Sequence, residues 1–190
     1  ENLRAICCFH GIGTAESKPD AYLYFQNALQ NGNETARFNL SLCRLYGYGC
    51  SRSVSAGIES LQEVRPGVCA AAEFQLGIFY HFGVFLRQNN LKAMSHYETA
   101  VRLGDARATC NVGICQLRGD LCACDLKRAF QHFEAACGPS LVARYNLAVC
   151  LLDGTGTKRS VGKAVSLLRE MAKAGDPNAQ FSYGLCFFQG

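Results

Sequence analysis

The chain of 190 residues lacks long apolar runs and blocks of one charge. Its apolar stretches are broken by Gly, Arg or Asn well short of the roughly 18 residues that would span a bilayer, so we expect no direct membrane insertion. Lysine and arginine are spread along the sequence and leave a formal net charge of only +4. Proteins that bind a phosphate backbone usually carry basic clusters, so nucleic acid is not the favoured partner.

The chain also lacks the motifs of common catalytic and cofactor sites. It contains no H-E-x-x-H, no G-x-S-x-G and no G-x-x-x-x-G-K-[ST], and its Gly-x-Gly pairs do not extend to G-x-G-x-x-G. Cys122 and Cys124 lack the second pair and the spacing that are typical of structural zinc sites. His96 and His132 share one column of the repeat described below, where we expect surface or partly packed side chains rather than ligands. We therefore predict no enzymatic activity, no metal and no cofactor.

The chain instead contains a repeat of about 36 residues. An alanine recurs at intervals of 36, 36, 35 and 36 residues, and a glycine follows each alanine eleven residues later. A period of 20–50 residues is typical of solenoids, in which each unit buries its apolar face against its neighbours. The alanines are Ala36, Ala72, Ala108, Ala143 and Ala179, and the glycines are Gly47, Gly83, Gly119, Gly154 and Gly190.

One helix of each unit, helix A, is predicted around this alanine, which we number position 0. Apolar residues at positions 0, 4, 7 and 8 form one stripe of a helix, and a small residue at position 5 lets a second helix approach closely. The glycine at position 11 is suited to the positive φ of a helix C-cap, so helix A is expected to end there. The small residues are Ala5, Ser41, Gly77, Gly113, Ala148 and Gly184.

A second helix, helix B, is predicted to start after position 17, where every unit has a residue whose side-chain oxygen can cap a helix N-terminus. Helix B carries a small residue at position 21 and an apolar residue at position 25. No segment shows sustained alternation of period two, so we expect no strands. The capping residues are Ser17, Ser53, Asn89, Asp125 and Ser160.

The alanine, the glycines and the capped second helix resemble the Sel-one-like repeat, a relative of the tetratricopeptide repeat. The clearest copies are the segments 72–77 and 179–184, with Leu91-Lys92-Ala93 at the start of one helix B. The resemblance implies an all-α, right-handed α/α solenoid of about five helix-turn-helix repeats that acts as an adaptor in protein–protein interaction. The unit that starts at Ala36 has Ser41 and Gly57 at its small positions, and Pro66 closes its helix B early, so we expect irregular packing there.

The repeat register predicts a single array over residues 1–190. Because Glu1 already lies inside a repeat and no leader sequence is visible, we expect the chain to be an excerpt of a longer protein. The predicted units are a partial unit at 1–35, full units at 36–71, 72–107, 108–142 and 143–178, and a terminal helix at 179–190.

A partner-binding groove is predicted on a second side of helix A. Positions 2 and 6 there are largely apolar, and position 3 beside them carries mostly amides. In the tetratricopeptide class the corresponding face lines a concave groove, so the resemblance makes these columns a surface for a peptide or for a helix of another protein. The candidate residues are Phe38, Asn39, Leu42, Phe74, Gln75, Ile78, Asn111, Ile114, Arg118, Tyr145, Asn146, Val149, Phe181 and Leu185.

Other interpretations of this face stay open. A helix that is apolar on two sides can be sandwiched between its neighbours, and the amides can bond the adjacent repeat alone. A second copy of the chain, or a missing segment of its parent protein, is a further candidate occupant. The leading hypothesis is an intracellular scaffold; the alternatives are an extracellular repeat effector braced by disulfides and a regulatory or self-assembling part of a larger protein.

Cysteine is frequent, with twelve residues, and recurs at position 7 in five of the six helices A. This stripe faces the predicted core, where a free thiol behaves as a small apolar side chain. Cys43 with Cys50 and Cys115 with Cys122 share one spacing, so a bridge within each of these units is an alternative. The pairing motif of secreted cysteine-rich members of this class is absent, so we favour reduced thiols and an intracellular protein over a secreted one.

Overall fold

The structure, a computed structural model, describes residues 1–188. Over these residues it contains eleven α-helices and no strand, so the predicted all-α fold is confirmed. Odd-numbered helices are the helices A of the repeat, and each of the first five packs against the helix B that follows it, whereas α11 packs against the preceding α10. The helices are α1 (Asn2–His10), α2 (Lys18–Gln30), α3 (Glu34–Tyr46), α4 (Val54–Gln62), α5 (Ala70–Phe82), α6 (Asn90–Arg102), α7 (Ala106–Arg118), α8 (Leu126–Ala136), α9 (Leu141–Asp153), α10 (Val161–Lys173) and α11 (Pro177–Phe188).

The helices form two compact units. The first contains α1–α6 and ends at Leu103, and the second starts at Gly104 and contains α7–α11. Core clusters in the first unit include Phe25 and Phe79, and those in the second include Phe133. No helix in the described residues is both long and apolar enough to cross a bilayer.

Glycine ends the helices A as predicted. In five units the residue after the helix is a glycine in the left-handed region, with φ between 67° and 77°. The N–H of each glycine donates to the carbonyl at position 7, which satisfies one of the free carbonyls of the last turn. These glycines are Gly11, Gly47, Gly83, Gly119 and Gly154, whereas Gly190 lies outside the described residues.

The capping column of helix B is confirmed in four of its five members. Ser17, Ser53, Asn89 and Asp125 each accept a hydrogen bond from a backbone N–H in the first turn of the helix that follows. Ser160 precedes α10 without such a side-chain bond. The backbone of this column also closes the hairpin, since the N–H at position 17 donates to the carbonyl at position 8 of helix A, as Asn89 does to Tyr80 at 2.9 Å.

The unit that starts at Ala36 is irregular, as its sequence predicts. Its helix B, α4, has 9 residues, whereas α2, α6 and α10 have 13. Gly57 of α4 lies so close to Leu45 that an added Cβ would be 2.6 Å from Leu45 Cγ. Glycine at position 21 therefore makes room for the leucine of the preceding helix A.

Candidate protein-interaction surfaces

In the first unit, the predicted groove residues are divided between the core and a partly open face. Phe38 and Phe74 are buried, and Leu42 and Ile78 pack against the cluster that contains Phe38. The two phenylalanines therefore contribute to stability more than to an open floor. The helical wheel assigned these two residues to the groove because it gives the direction of a side chain from the helix axis and does not show which residues cover that side chain.

The amide column of the first unit contacts the adjacent repeat. Asn39 Nδ2 donates to Asn2 Oδ1 at 3.2 Å, which links α3 to α1. Gln75, the equivalent residue of α5, is half-buried. The bond from Asn39 matches the alternative in which the amides join neighbouring helices.

An apolar pocket of about 240 Å³ lies beside these residues in the first unit, between α1 and α3. Phe9 and Tyr48 form one wall, with ring centroids 5.5 Å apart in an edge-to-face arrangement. Asn39 and Leu42 bring two of the predicted columns into the pocket. The complete lining is Ile6, Phe9, His10, Phe25, Asn39, Leu42, Cys43 and Tyr48, and we call it the α1–α3 pocket.

In the second unit, the predicted groove residues lie nearer the surface. Tyr145 and Ser182 share a hydrogen bond of 2.9 Å between their hydroxyl oxygens, so this tyrosine joins α9 to α11. Phe181 is 69% exposed, and Leu185 and Arg118 are also exposed. The half-buried members are Asn111, Ile114, Tyr145, Asn146 and Val149.

A contact between a buried carboxylate and a histidine in the first unit was not predicted from the sequence. Glu73 is 6% exposed, and its carboxylate accepts from the Gly67 N–H at 2.9 Å and lies 2.7 Å from His96 Nδ1. The His96 ring stacks on Tyr80 with a centroid distance of 5.5 Å. Position 1 of the repeat varies among Arg, Glu, Thr and Gln, so no column pattern identified Glu73. The expectation that His96 is partly packed is confirmed.

Glu73 and His96 line a pocket of about 480 Å³ on the helix B side, between α4 and α6. A pocket of about 710 Å³ occupies the equivalent place in the second unit, between α8 and α10. Leu76 lines the first and Leu147 the second, and both residues are at position 4 of their helix A. Sequence reasoning missed both pockets because it considered only the opposite side of helix A.

The cysteine column lies in the core, as predicted. Cys43, Cys115 and Cys150 are buried, and Cys7 and Cys186 are half-buried. Burial raises the pKa of Cys43 to about 11, and burial together with the nearby Asp120 carboxyl raises the pKa of Cys115 to about 12. Thiols with a raised pKa stay protonated at neutral pH, so they are poor nucleophiles and poor metal ligands.

Solved structures with a similar fold are themselves repeat proteins. A Sel1 repeat protein from Oxalobacter formigenes superposes with a TM-score of 0.85 at 22% identity, over 94% of this chain and 73% of that one. The protective antigen c5321 of uropathogenic Escherichia coli, which has an SLR fold, gives a TM-score of 0.84 at 18% identity, over 100% and 41% of the two chains. At these identities the likeness concerns the fold, which is the predicted α/α repeat.

Two curated relatives are proteins called DAP3-binding cell death enhancer 1. The Rattus norvegicus protein is 36% identical over 185 residues, which cover 94% of this chain and 36% of that protein. The Mus musculus protein is 36% identical over 179 residues, which cover 90% and 35%. The chain thus spans about a third of the length of these relatives.

The Sel1 repeat matches six segments that together cover most of the chain. Each of the first five segments begins at or near a helix A, and the sixth coincides with α11. Proteins of this family generally act in protein–protein interaction, and the fold is typically a non-catalytic scaffold. The matched segments are residues 2–33, 35–59, 70–105, 106–137, 141–176 and 177–190. The chain belongs to the Sel1 repeat family.

Proposed function

We propose that the protein is an interaction scaffold that holds a peptide or helix of another protein against the helix A side of its first unit. The observation that carries this proposal is the α1–α3 pocket, an open apolar cavity within the predicted face. Such a pocket suits one large apolar side chain of a partner, because removal of apolar surface from water is the main gain in peptide docking.

Leu42, Phe9 and Tyr48 are the residues of the pocket that a partner would contact. Leu42 and Phe9 are half-buried, and Tyr48 is exposed, so each keeps surface that a ligand can cover. Phe25 and Cys43 lie deeper and form the base. Asn39 donates from its amide nitrogen to Asn2, so it is committed in part to the contact between α1 and α3.

DAP3 is the first candidate partner to test, because the two relatives named above are DAP3-binding proteins. The test measures the affinity of immobilised chain for purified DAP3. In the Leu42→Ala/Tyr48→Ala double variant we expect the affinity to fall about tenfold or more, as is usual for residues at the centre of an interface.

Leu91→Ala is the matched control. Leu91 is an exposed leucine on α6 that does not line the pocket, so its truncation should leave the affinity unchanged. Circular dichroism checks that all variants keep their helices. Equal affinity of the double variant and the wild type would reject the pocket as the docking site, and absence of binding would reject DAP3 as the partner.

A further inference from the structure

The second unit carries a groove that the proposed function does not use. It is the pocket between α8 and α10 described above, which we call the α8–α10 groove. Its floor is apolar: Leu147 and Leu151 come from α9, Phe130 from α8 and Leu167 from α10. All four side chains belong to, or pack against, one core cluster, so the floor is held rigidly.

The rim of the groove is predominantly basic. Lys158, Arg159 and Lys163 line it, against the single carboxylate of Glu134. Both lysines are exposed and make no ion pair within residues 1–188. Arg159 is anchored to the turn because its Nε donates to the Leu152 carbonyl at 2.8 Å.

The floor of this groove differs from that of its counterpart in the first unit. In the first unit the equivalent pocket has Tyr80 where the second has Leu151, and His96 where the second has Leu167. That floor carries the buried carboxylate of Glu73, which pairs with His96. The uncharged floor therefore distinguishes the α8–α10 groove from its counterpart in the first unit, whereas the basic rim follows the repeat, because Arg87 and Lys92 hold the equivalent positions of Lys158 and Lys163.

We propose that the α8–α10 groove binds an acidic peptide segment of a partner protein that also carries large apolar side chains. The apolar side chains would cover the leucines of the floor, and the carboxylates would face Lys158 and Lys163, since complementary charge steers and orients such contacts. A nucleic acid fits less well, because the apolar floor offers nothing to phosphates and the rim supplies only three cations. The proposal does not rest on the α1–α3 pocket.

Selection of random peptides displayed on phage against the whole chain tests this proposal. We expect enrichment of peptides that combine Asp or Glu with Leu, Phe or Ile. The affinity of the enriched peptides, measured by fluorescence anisotropy, should weaken as salt screens the exposed charges. In K158E/K163E the affinity should fall about tenfold or more, because repulsion replaces two attractive contacts.

K127E/K173E is the matched control. It changes the net charge by the same amount, and both lysines are exposed in the second unit without lining the groove. Binding that survives in this control and in Leu42→Ala/Tyr48→Ala, but not in K158E/K163E, supports the proposal and separates it from the α1–α3 pocket. Failure to enrich acidic peptides, equal weakening by both charge reversals, or displacement of the peptides by a single-stranded oligonucleotide would overturn it.

Discussion

The ring of Tyr97 lies against Gly77 so closely that a Cβ on this glycine would be 2.5 Å from Cδ1 and Cε1 of the ring. Gly77 is at position 5 of the repeat, in α5, and Tyr97 is at position 25, in α6, where it is fully buried. The same relation joins Gly113 to Phe133, with an added Cβ 2.8 Å from the ring. In these two units a glycine of helix A is thus matched to an aromatic ring of helix B.

Gly77→Ala is expected to destabilise the protein. In a helix interior this exchange ordinarily adds roughly 0.5–1 kcal/mol of stability, but overpacking against a rigid ring costs about 1–3 kcal/mol. The free energy of unfolding in urea should therefore fall by about 1–2 kcal/mol. Gly162→Ala in α10 is the control, because an added Cβ there meets no atom within 4 Å, and this variant should be as stable as the wild type or more so. A Gly77→Ala protein more stable than the wild type would contradict this prediction and would show that α5 and α6 can shift apart enough to accommodate the added methyl group.

Glu73→Ala should lower the stability of the protein by about 1–3 kcal/mol, because it leaves the Gly67 N–H and His96 without their acceptor. Glu98→Ala serves for comparison, since Glu98 is an exposed glutamate of α6 and its truncation should change the free energy of unfolding by less than about 0.5 kcal/mol. Urea denaturation at neutral pH measures both. If the two variants lose the same stability, the contacts of Glu73 with Gly67 and His96 contribute no more than a surface carboxylate does.

Stability should decrease at alkaline pH because of the buried thiols. The pKa of Cys43 rises from 9.0 to about 11 in the folded chain, so the folded state holds this proton more tightly than the unfolded state. The resulting contribution to stability is complete below the ordinary pKa of a thiol and is lost as the pH rises through about 11. Cys115, with a pKa of about 12, acts in the same direction.

The decrease is measured by denaturation in urea at about pH 8 and at about pH 10.5, because a thiol of ordinary pKa ionises between these two pH values. Cys43→Ala should show a smaller decrease than the wild type, whereas Cys124→Ala, which removes an exposed thiol, should match the wild type. Identical pH profiles for Cys43→Ala and the wild type would contradict the predicted role of the buried thiol.

Thiol labelling distinguishes the reduced scaffold from the disulfide-braced alternative. None of the twelve cysteines, which lie within residues 1–188, forms a disulfide in the structure. In the native protein, maleimide should modify the exposed Cys124 first and the buried Cys43, Cys115 and Cys150 last. Mass spectrometry of samples taken over time measures the order of modification. In the denatured, unreduced protein we expect twelve reactive thiols, and a markedly smaller number would favour the extracellular interpretation.

Local signals in the sequence were sufficient to predict the helices and their ends. A glycine such as Gly47 ends a helix because it tolerates positive φ, and Asn89 caps one because its side chain replaces a missing acceptor. Both effects involve residues within one turn of each other. Each of these signals is weak in a single unit, but its recurrence at the same repeat position in several units made the prediction of the helix ends firm.

Contacts between distant segments were beyond these signals. Glu73 and His96 are 23 residues apart, and their pairing depends on how α5 and α6 meet. A bond of the loop residue at position 16 was also missed, although it spans only seven residues: Arg52 donates to the Leu45 carbonyl at 3.0 Å, and Gln88 donates to that of His81 at 2.9 Å. Because arginine and glutamine share only their capacity to donate, no residue column indicated this bond.

The amino-acid sequence by itself determined the α-helical repeat, the glycine and capping residues at its turns and the cysteine stripe of its core, since these depend on period and on short-range hydrogen bonds. The tertiary structure alone decided that Phe38 and Phe74 are buried, that an apolar pocket opens between α1 and α3, and that leucines and lysines meet between α8 and α10. Whether a side chain is covered depends on the size of the residues that pack against it from other helices. Helical periodicity carries no information about those residues.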